Sequence, residues 1–230
     1  MDTRDEPCMD SYLEKMARKT LDYSKSGPIP LSCGDEKMIK KFLYDLKNKA
    51  ISPYYMITKK GRFTYEGKQF KYFIHWYNHT WDNCRKLEIP IFLWLYYLNQ
   101  HRSVLEVGNV FSHYIPITHV VLDKYEKSKG VINEDIVDYR PDVKYDVVLS
   151  CSTLEHVGFD EDVKDPDGFL KAVNNIKENV LRDGGVLYLS VPVGYNPDVD
   201  RVLASGLLHF DSVVHYSQDG WHIIIGVIRK

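Results

Sequence analysis

Short apolar runs alternate with polar and helical segments from Ser103 to the C-terminus. The runs predict strands at Ser103–Val107, Thr118–Asp123, Tyr145–Ser150, Gly185–Val191, Ser212–Tyr216 and His222–Ile228, with a further short strand in Gly130–Ile136. The clearest helical periodicity lies in Asp167–Gly185, where Gly184 and Gly185 are expected to close the helix. Apolar strands separated by helices predict an α/β fold with a mostly parallel sheet covered on both faces. A tight turn at Asp219 and Gly220 predicts that the last two strands form an antiparallel hairpin at the sheet edge.

The first 84 residues follow a different pattern. Helical spacing predicts two helices, in Glu6–Lys25 and Gly34–Lys49, and two aromatic-rich runs around Glu66 and Gly67 predict a β-hairpin. A further helix is expected in Trp81–Gln100, with a kink or a helix start at Pro90. We therefore expect residues 1–84 to form a helical and hairpin extension that acts as a lid, and residues 85–230 to form the core.

Composition narrows the class of protein. Of the 230 residues, 44% are hydrophobic and 27% charged, which is typical of a folded domain, and the net charge of −2 gives no basic footprint for nucleic acid. The most apolar run, Ile89–Leu98, is too short to span a bilayer, and the charged N-terminus is unlike a signal peptide. A cytoplasmic location without membrane or nucleic-acid partners is expected. The four cysteines form no CxxC pair, so nothing in the sequence requires a metal. The sequence does not predict an oligomeric state.

In an open parallel sheet, ligands bind beyond the C-terminal ends of the strands. The polar residues that follow the predicted strands are therefore the site candidates: Glu106, Gly108 and Asn109; Asp123 and Lys124; Asn133 and Asp135; Ser152, Thr153, Glu155 and His156; Gly194 and Tyr195. Asp123, 17 positions after Glu106, suits a carboxylate that accepts hydrogen bonds from a ribose diol. Asp135 is placed to face an adenine amino group.

The order of motifs resembles that of class I S-adenosylmethionine-dependent methyltransferases. It reads VLEVGN, VVLDKYE, GVINEDI, YDVVLSCSTLEHV and LRDGGVLYLSVP, and STLEHV followed by LRDGGVLYLSVP is its most specific part. The resemblance covers residues 85–230 and implies a Rossmann-like methyltransferase core with S-adenosylmethionine as cofactor. It places Glu106 and Gly108 at the start of the glycine-rich motif and Asp123 at the ribose. Asp135 and Ile136 then match the adenine contact, and Ser152 to His156 match the loop beneath the methyl donor.

The chain departs from that family at the glycine-rich motif. Val110 and Ser112 stand where further glycines are usual, and their Cβ atoms restrict the backbone and close approach. We expect a different turn, in which Asn109 adopts a left-handed conformation and the Ser112 hydroxyl donates to the ligand. The retained acids Asp123 and Asp135 favour a site that still binds its cofactor.

Several residues have more than one interpretation. The candidate catalytic residues are His156, Glu155 and His113. His156 is the first candidate for a general base and His113 the second, although either histidine can be structural. Arg85 is placed to contact the carboxylate of the cofactor, with a surface ion pair to Glu88 as the default alternative. The aromatic run at positions 72–81 suits a lid that stacks on substrate, or equally a packed hairpin face.

The function predicted is methyl transfer to an oxygen or nitrogen of a small molecule, such as a sugar or surface-glycan precursor. A non-catalytic binding module that acts through a partner is the alternative. A nicotinamide-dependent oxidoreductase is a third interpretation, but VGNVFSHY lacks the GxGxxG that it needs.

Overall fold

The computed structural model describes residues 33–218 and 220–230. The helix predicted in Glu6–Lys25 lies outside these ranges. The chain divides into two compact units, residues 1–46 and 47–230. The described part of the first unit is the beginning of helix α1 (Cys33–Thr58), which is longer than predicted and continues past Pro53.

The second unit contains three further α-helices and nine strands among the described residues. The helices are α2 (Arg85–Asn99), α3 (Gly168–Asn175) and α4 (Pro197–Ser205). The strands are β1 (Arg62–Tyr65), β2 (Lys68–Lys71), β3 (Val104–Val107), β4 (Val120–Leu122), β5 (Val131–Ile132), β6 (Tyr145–Cys151), β7 (Leu181–Pro192), β8 (Ser212–Gln218) and β9 (Trp221–Arg229). No helix of the described residues is both long enough and apolar enough to cross a bilayer.

Seven strands form one sheet, in the order β5-β4-β3-β6-β7-β9-β8. The strands from β5 to β7 are parallel, whereas β9 pairs antiparallel with β7 and β8 antiparallel with β9. The predicted fold class, a mostly parallel Rossmann-like sheet with an antiparallel edge hairpin, is confirmed. The chain runs outward from β3 to β5 and then returns to β6, so the topological switch lies between β3 and β6. That crevice is where such a sheet binds ligands.

Both faces of the sheet are covered. Alternate strand residues such as Leu105, Val148 and Leu187 pack against α3 and α4. Their neighbours Val104 and Val147 point to the opposite face and pack with α2. Because period-two alternation places successive side chains on opposite faces, these strands are apolar at nearly every position.

The hairpin β1–β2 packs into the same core as α2. Its turn residues Glu66 and Gly67 both have positive φ, 47° and 75°, which is the two-residue turn expected from the sequence. Phe63 and Tyr65 are buried in this cluster. The aromatic residues of this hairpin therefore form a packed face.

Two predicted boundaries were wrong. Of the two alternatives at Pro90, the helix start was wrong, because helix α2 begins at Arg85 and Pro90 is inside it. Pro90 has no N–H for the carbonyl of Lys86, and Phe73 N donates to that carbonyl instead at 3.0 Å. The helical segment after Asp167 ends in a π turn, Ile176–Val180, and not at Gly184 and Gly185. The buried Leu181 pairs with Tyr145 and begins β7.

Candidate cofactor site

A cavity of about 680 Å³ opens at the C-terminal ends of β3, β4 and β5. It is lined by residues Val107–Val110, Leu122–Glu126, Glu134–Ile136, Thr153, His156–Val157 and Asp160–Glu161. Six of these residues are acids, against one lysine, Lys124, and one histidine. We call it the acidic cavity. Its volume is in the range of small-molecule and cofactor sites.

Gly108 and Thr153 meet at the switch point, from the loops that follow β3 and β6. Gly108 has φ 86°, and a Cβ atom built on it would lie 2.2 Å from Thr153 Oγ1. Both the backbone conformation and the close approach therefore require glycine at this position. The two loops define the floor of the acidic cavity.

Glu106 supports the loop after β3 by accepting hydrogen bonds from its backbone. Its side chain is fully buried, and its Oε1 accepts hydrogen bonds from Val110 N and Phe111 N, both at 2.8 Å. Its Oε2 lies 2.6 Å from His119 Nε2. Glu106 supports the loop and does not line the acidic cavity.

The turn after β3 differs from the one expected. Among residues 108–112 only Gly108 has a positive φ, so the left-handed conformation predicted for Asn109 was wrong. Val110 has φ −103° and ψ −49°, a conformation of negative φ that does not require glycine, because Glu106 closes the turn. Ser112 Oγ donates to Asn109 Oδ1 at 2.6 Å and does not line the acidic cavity. Val110 and Ser112 therefore replace glycines without strain.

Asp123 lies on the cavity wall and binds backbone N–H groups from two segments. Its Oδ2 accepts from Asn109 N at 2.9 Å. Its Oδ1 accepts from Tyr125 N at 2.9 Å and Glu126 N at 2.8 Å. Since Gly108 N donates to Leu122 O, each backbone N–H of residues 108–111 donates to an acceptor of the chain itself.

Lys124 crosses the acidic cavity. Its Nζ lies 2.7 Å from Asp135 Oδ2 and 2.8 Å from Glu161 Oε1. Asp135 Oδ1 also accepts from Val137 N at 2.9 Å, and Ile136 is buried beside it. The predicted adenine-facing residues Asp135 and Ile136 thus both line the acidic cavity, together with Lys124.

Arg85 and Glu88 lie beneath the start of the loop after β6. Arg85 donates to the carbonyls of Cys151 at 2.7 Å and Ser152 at 3.2 Å. Glu88 Oε1 accepts from Ser152 Oγ at 2.5 Å. Glu88 is fully buried and its Oε2 lies 3.9 Å from Arg85 Nε, so the pair is not the surface pair of the default interpretation. Neither side chain lines the acidic cavity.

These contacts hold Ser152 in an unusual conformation. Ser152 has φ 41°, which is rare outside glycine, and its N–H donates to Ser190 O at 3.1 Å and Ser190 Oγ at 3.0 Å. Such strain persists only where the surroundings over-determine it. Ser152 is buried and directs the following residue, Thr153, towards Gly108.

His156, Asp160 and Tyr195 form a hydrogen-bonded cluster at the cavity rim. His156 Nδ1 lies 2.5 Å from Asp160 Oδ2, and the Tyr195 hydroxyl donates to the same oxygen at 2.6 Å. The hydrogen bonds from Tyr195 and His156 lower the pKa of Asp160. Burial, with the bond to Asp160, raises the pKa of Tyr195 to about 12. Asp160 thus remains a carboxylate that orients the imidazole.

Glu155 and His113, the other predicted catalytic residues, lie outside the cavity lining. Glu155 is 1% exposed, and burial raises its pKa to about 8. Within the part of the chain that the structure describes, its Oε2 has no hydrogen-bond partner. His113 stacks on Tyr77, with ring centroids 4.3 Å apart, and its Nε2 lies 3.2 Å from Glu126 Oε2.

Some cavity residues were not predicted from the sequence. Glu126, Glu134 and Val157 line the acidic cavity, as do Asp160 and Glu161. Glu126 follows Asp123 by three positions, a signal that could have suggested it. Asp160 and Glu161 belong to a polar run whose position over the strand ends only the fold reveals.

Comparison with known proteins gives structural likenesses only. No family model matches the chain, and no curated protein matches it. The N-methyltransferase NodS from Bradyrhizobium japonicum, in complex with S-adenosylhomocysteine, is 14% identical with a TM-score of 0.48, and the match covers 65% of this chain and 89% of that one. The 1,6-didemethyltoxoflavin-N1-methyltransferase of Burkholderia thailandensis is 15% identical with a TM-score of 0.44, and the match covers 61% of this chain and 76% of that one. Magnesium protoporphyrin IX methyltransferase from Synechocystis is 14% identical with a TM-score of 0.40, and the match covers 62% of this chain and 77% of that one.

The chain is similar to S-adenosylmethionine-dependent methyltransferases. Identities near 14% and TM-scores below 0.5 assign no activity to this chain, whose activity depends on the chemistry of its own site.

Proposed function

We propose that this chain is a methyltransferase that uses S-adenosylmethionine and transfers its methyl group to an oxygen or nitrogen of a small molecule. The observation that carries the proposal is the charge and hydrogen bonding of the acidic cavity. The loop after β3 is where a dinucleotide would place its pyrophosphate. In this chain the N–H groups of Asn109, Val110 and Phe111 all donate to the carboxylates of Asp123 and Glu106.

Two features therefore disfavour a phosphate group at this site. The backbone N–H groups that would bind it already donate to carboxylates, and the acids of the lining would repel its charge. A nucleoside cofactor without phosphates and with a positive charge suits the same lining. S-adenosylmethionine has a ribose, an adenine and a sulfonium cation. This chemistry favours it over a nicotinamide dinucleotide.

The residues that would hold the cofactor follow from their positions. Asp123 would accept from the ribose hydroxyls, and Asp135 with Ile136 would meet the adenine. Lys124 would release Asp135 and keep Glu161, since its ammonium now contacts both. When bound, S-adenosylmethionine supplies an electrophilic methyl group.

His156 is the residue that we propose accepts a proton from the acceptor. With its Nδ1 proton donated to Asp160, the imidazole keeps a lone pair on Nε2 for an incoming O–H or N–H. Asp160 fixes that tautomer, and Tyr195 holds Asp160 from the other side. Asp160 and Tyr195 act as positioning residues.

The chemical class of the methyl acceptor and the cellular location of the protein are finer proposals, and both come from the sequence. A sugar or surface-glycan precursor is the acceptor that we propose, in a cytoplasmic protein without nucleic-acid or membrane partners. Residues 1–84 as a lid likewise stay a prediction, and none of the described residues before Val107 lines the acidic cavity.

Calorimetric titration of the full chain with S-adenosylmethionine, S-adenosylhomocysteine and NAD tests the cofactor. We expect micromolar dissociation constants for the first two, about −8 kcal/mol, and no binding of NAD. Asp123→Asn loses the charge and one of the two oxygens that accept backbone N–H groups, and should weaken S-adenosylhomocysteine binding about tenfold. The exposed Asp142→Asn is the matched control and should bind as the parent does.

Equal binding of NAD, or none of S-adenosylhomocysteine, would overturn the proposal. Tight binding without methyl transfer to any acceptor in a broad screen would favour the alternative, a binding module that acts through a partner.

A further inference from the structure

A second cavity, of about 470 Å³, lies between the end of α1, strand β2 and the start of α2. It shares no lining residue with the acidic cavity. Among the described residues its lining is mainly basic, with Lys59, Lys60 and Lys86 against one acid, Asp82. We call it the lysine pocket.

Lys86 is the buried lysine of this pocket. The residue is 4% exposed, and its Nζ lies 5.4 Å from the centroid of the Tyr72 ring. Lys59 and Lys60 are exposed at the pocket mouth. The exposed side chains of Lys59 and Lys60 can adjust to a ligand. Lysine ammonium groups bind phosphate and carboxylate oxygens as point charges.

The walls of the lysine pocket are aromatic. Gly61 allows the Tyr72 ring to lie against the main chain, since a Cβ atom at Gly61 would come within 2.0 Å of Tyr72 Cε2. Tyr72 N also donates to Gly61 O at 3.0 Å. Trp221, at the start of β9, adds a ring that is 39% exposed. The exposed ring of Trp221, beside these lysines, can bind a flat ring next to an anion.

We infer that the lysine pocket binds a small anion, a phosphate or a carboxylate, attached to a flat ring. The lysines recognise the anion, and Tyr72 and Trp221 contact the ring. Since the pocket and the acidic cavity have no residue in common, this inference stands or falls separately from the proposed cofactor.

Titration of the full chain with phenyl phosphate, benzoate, inorganic phosphate and benzyl alcohol tests the inference, by calorimetry and tryptophan fluorescence. Phenyl phosphate or benzoate should bind about tenfold more tightly than either inorganic phosphate or benzyl alcohol. The tighter of the two ring-bearing anions identifies the anion class. Affinity should fall as salt is raised.

The variants separate charge from ring recognition. Lys60→Glu should weaken binding of the tighter probe about tenfold. Lys177→Glu is the matched control, because Lys177 is an exposed lysine on the π turn and the substitution makes the same change of charge. This control should not change the affinity. Trp221→Leu should remove most of the preference for the ring. Titration of Lys60→Glu with S-adenosylhomocysteine should match the parent. The inference is overturned if neither ring-bearing anion binds saturably, or if Lys60→Glu and Lys177→Glu bind it equally.

Discussion

Glu106 Oε2 and His119 Nε2 lie 2.6 Å apart, between the middle of β3 and the residue that precedes β4. Both side chains are almost completely buried, at 0% and 2% exposure. The same carboxylate binds Val110 N and Phe111 N through its other oxygen. One side chain thus joins the core of the sheet to the loop that forms the cavity floor.

Replacement of Glu106 should damage stability and binding together. Glu106→Ala leaves Phe111 N and His119 Nε2 without their partner and Val110 N with Gly108 O alone, which should lower the free energy of unfolding by about 3 kcal/mol. Urea denaturation measures this loss. Glu106→Gln keeps one oxygen acceptor and should lose less than half as much. If the alanine variant unfolds at the same urea concentration as the parent, Glu106 is not the support of the loop.

Gly108→Ala should be far more harmful than an alanine at another glycine of similar φ. The substitution adds backbone strain at φ 86° and a clash with Thr153, for a loss of about 3 kcal/mol. Gly130 has φ 85° but no atom within 4 Å of an added Cβ. Gly130→Ala should therefore cost about 1 kcal/mol, the backbone strain alone.

Thermal and urea unfolding of both alanine variants, with S-adenosylhomocysteine titration, compare these glycines. Binding should be lost in Gly108→Ala and kept in Gly130→Ala. Equal destabilisation of the two variants would mean that the contact of Gly108 with Thr153 has no energetic role.

The cluster at the cavity rim predicts an effect on rate without an effect on cofactor affinity. Asp160→Asn and Tyr195→Phe should lower kcat for the acceptor that a screen identifies, and His156→Ala should lower it further, about a hundredfold. The dissociation constant of S-adenosylhomocysteine should change by less than about threefold in each variant. A pH–rate profile of Asp160→Asn that matches the parent would remove Asp160 from the positioning of His156.

The raised pKa of the buried Glu155 predicts that the free energy of unfolding depends on pH. Its pKa rises from 4.5 to about 8 on burial, so the folded protein keeps a proton that the unfolded chain releases between these values. The contribution of Glu155 to the free energy of unfolding is complete below pH 4.5 and is lost as pH rises to about 8. The slope in that window is up to about 1.4 kcal/mol per pH unit.

Glu155→Gln removes the ionisation and nearly keeps the shape. The decline of the free energy of unfolding between pH 5 and 8 should be smaller in this variant than in the parent by about 1 kcal/mol per pH unit. Urea denaturation at several pH values gives both slopes. Parallel curves for the two proteins would show that Glu155 is ionised in the folded state.

Much of the fold follows from sequence alone because its signals are local. Apolar runs bounded by polar residues marked every strand of the large sheet, and Glu66 with Gly67 marked the hairpin turn. Strand ends also located the cavity, since parallel strands bring Gly108, Asp123 and Asp135 to one edge. These relationships depend on the period of the chain and on the geometry of any parallel sheet.

Tertiary structure decided which candidates face the cavity and which support it. Glu106 and Arg85 carry charges suited to a ligand, yet both bind groups of the chain itself, mainly backbone atoms of the two loops. Asp160 and Tyr195 are 35 positions apart and meet only when the loops after β6 and β7 converge. No local pattern encodes such a pair, because hydrogen-bond partners across a fold depend on how the loops pack.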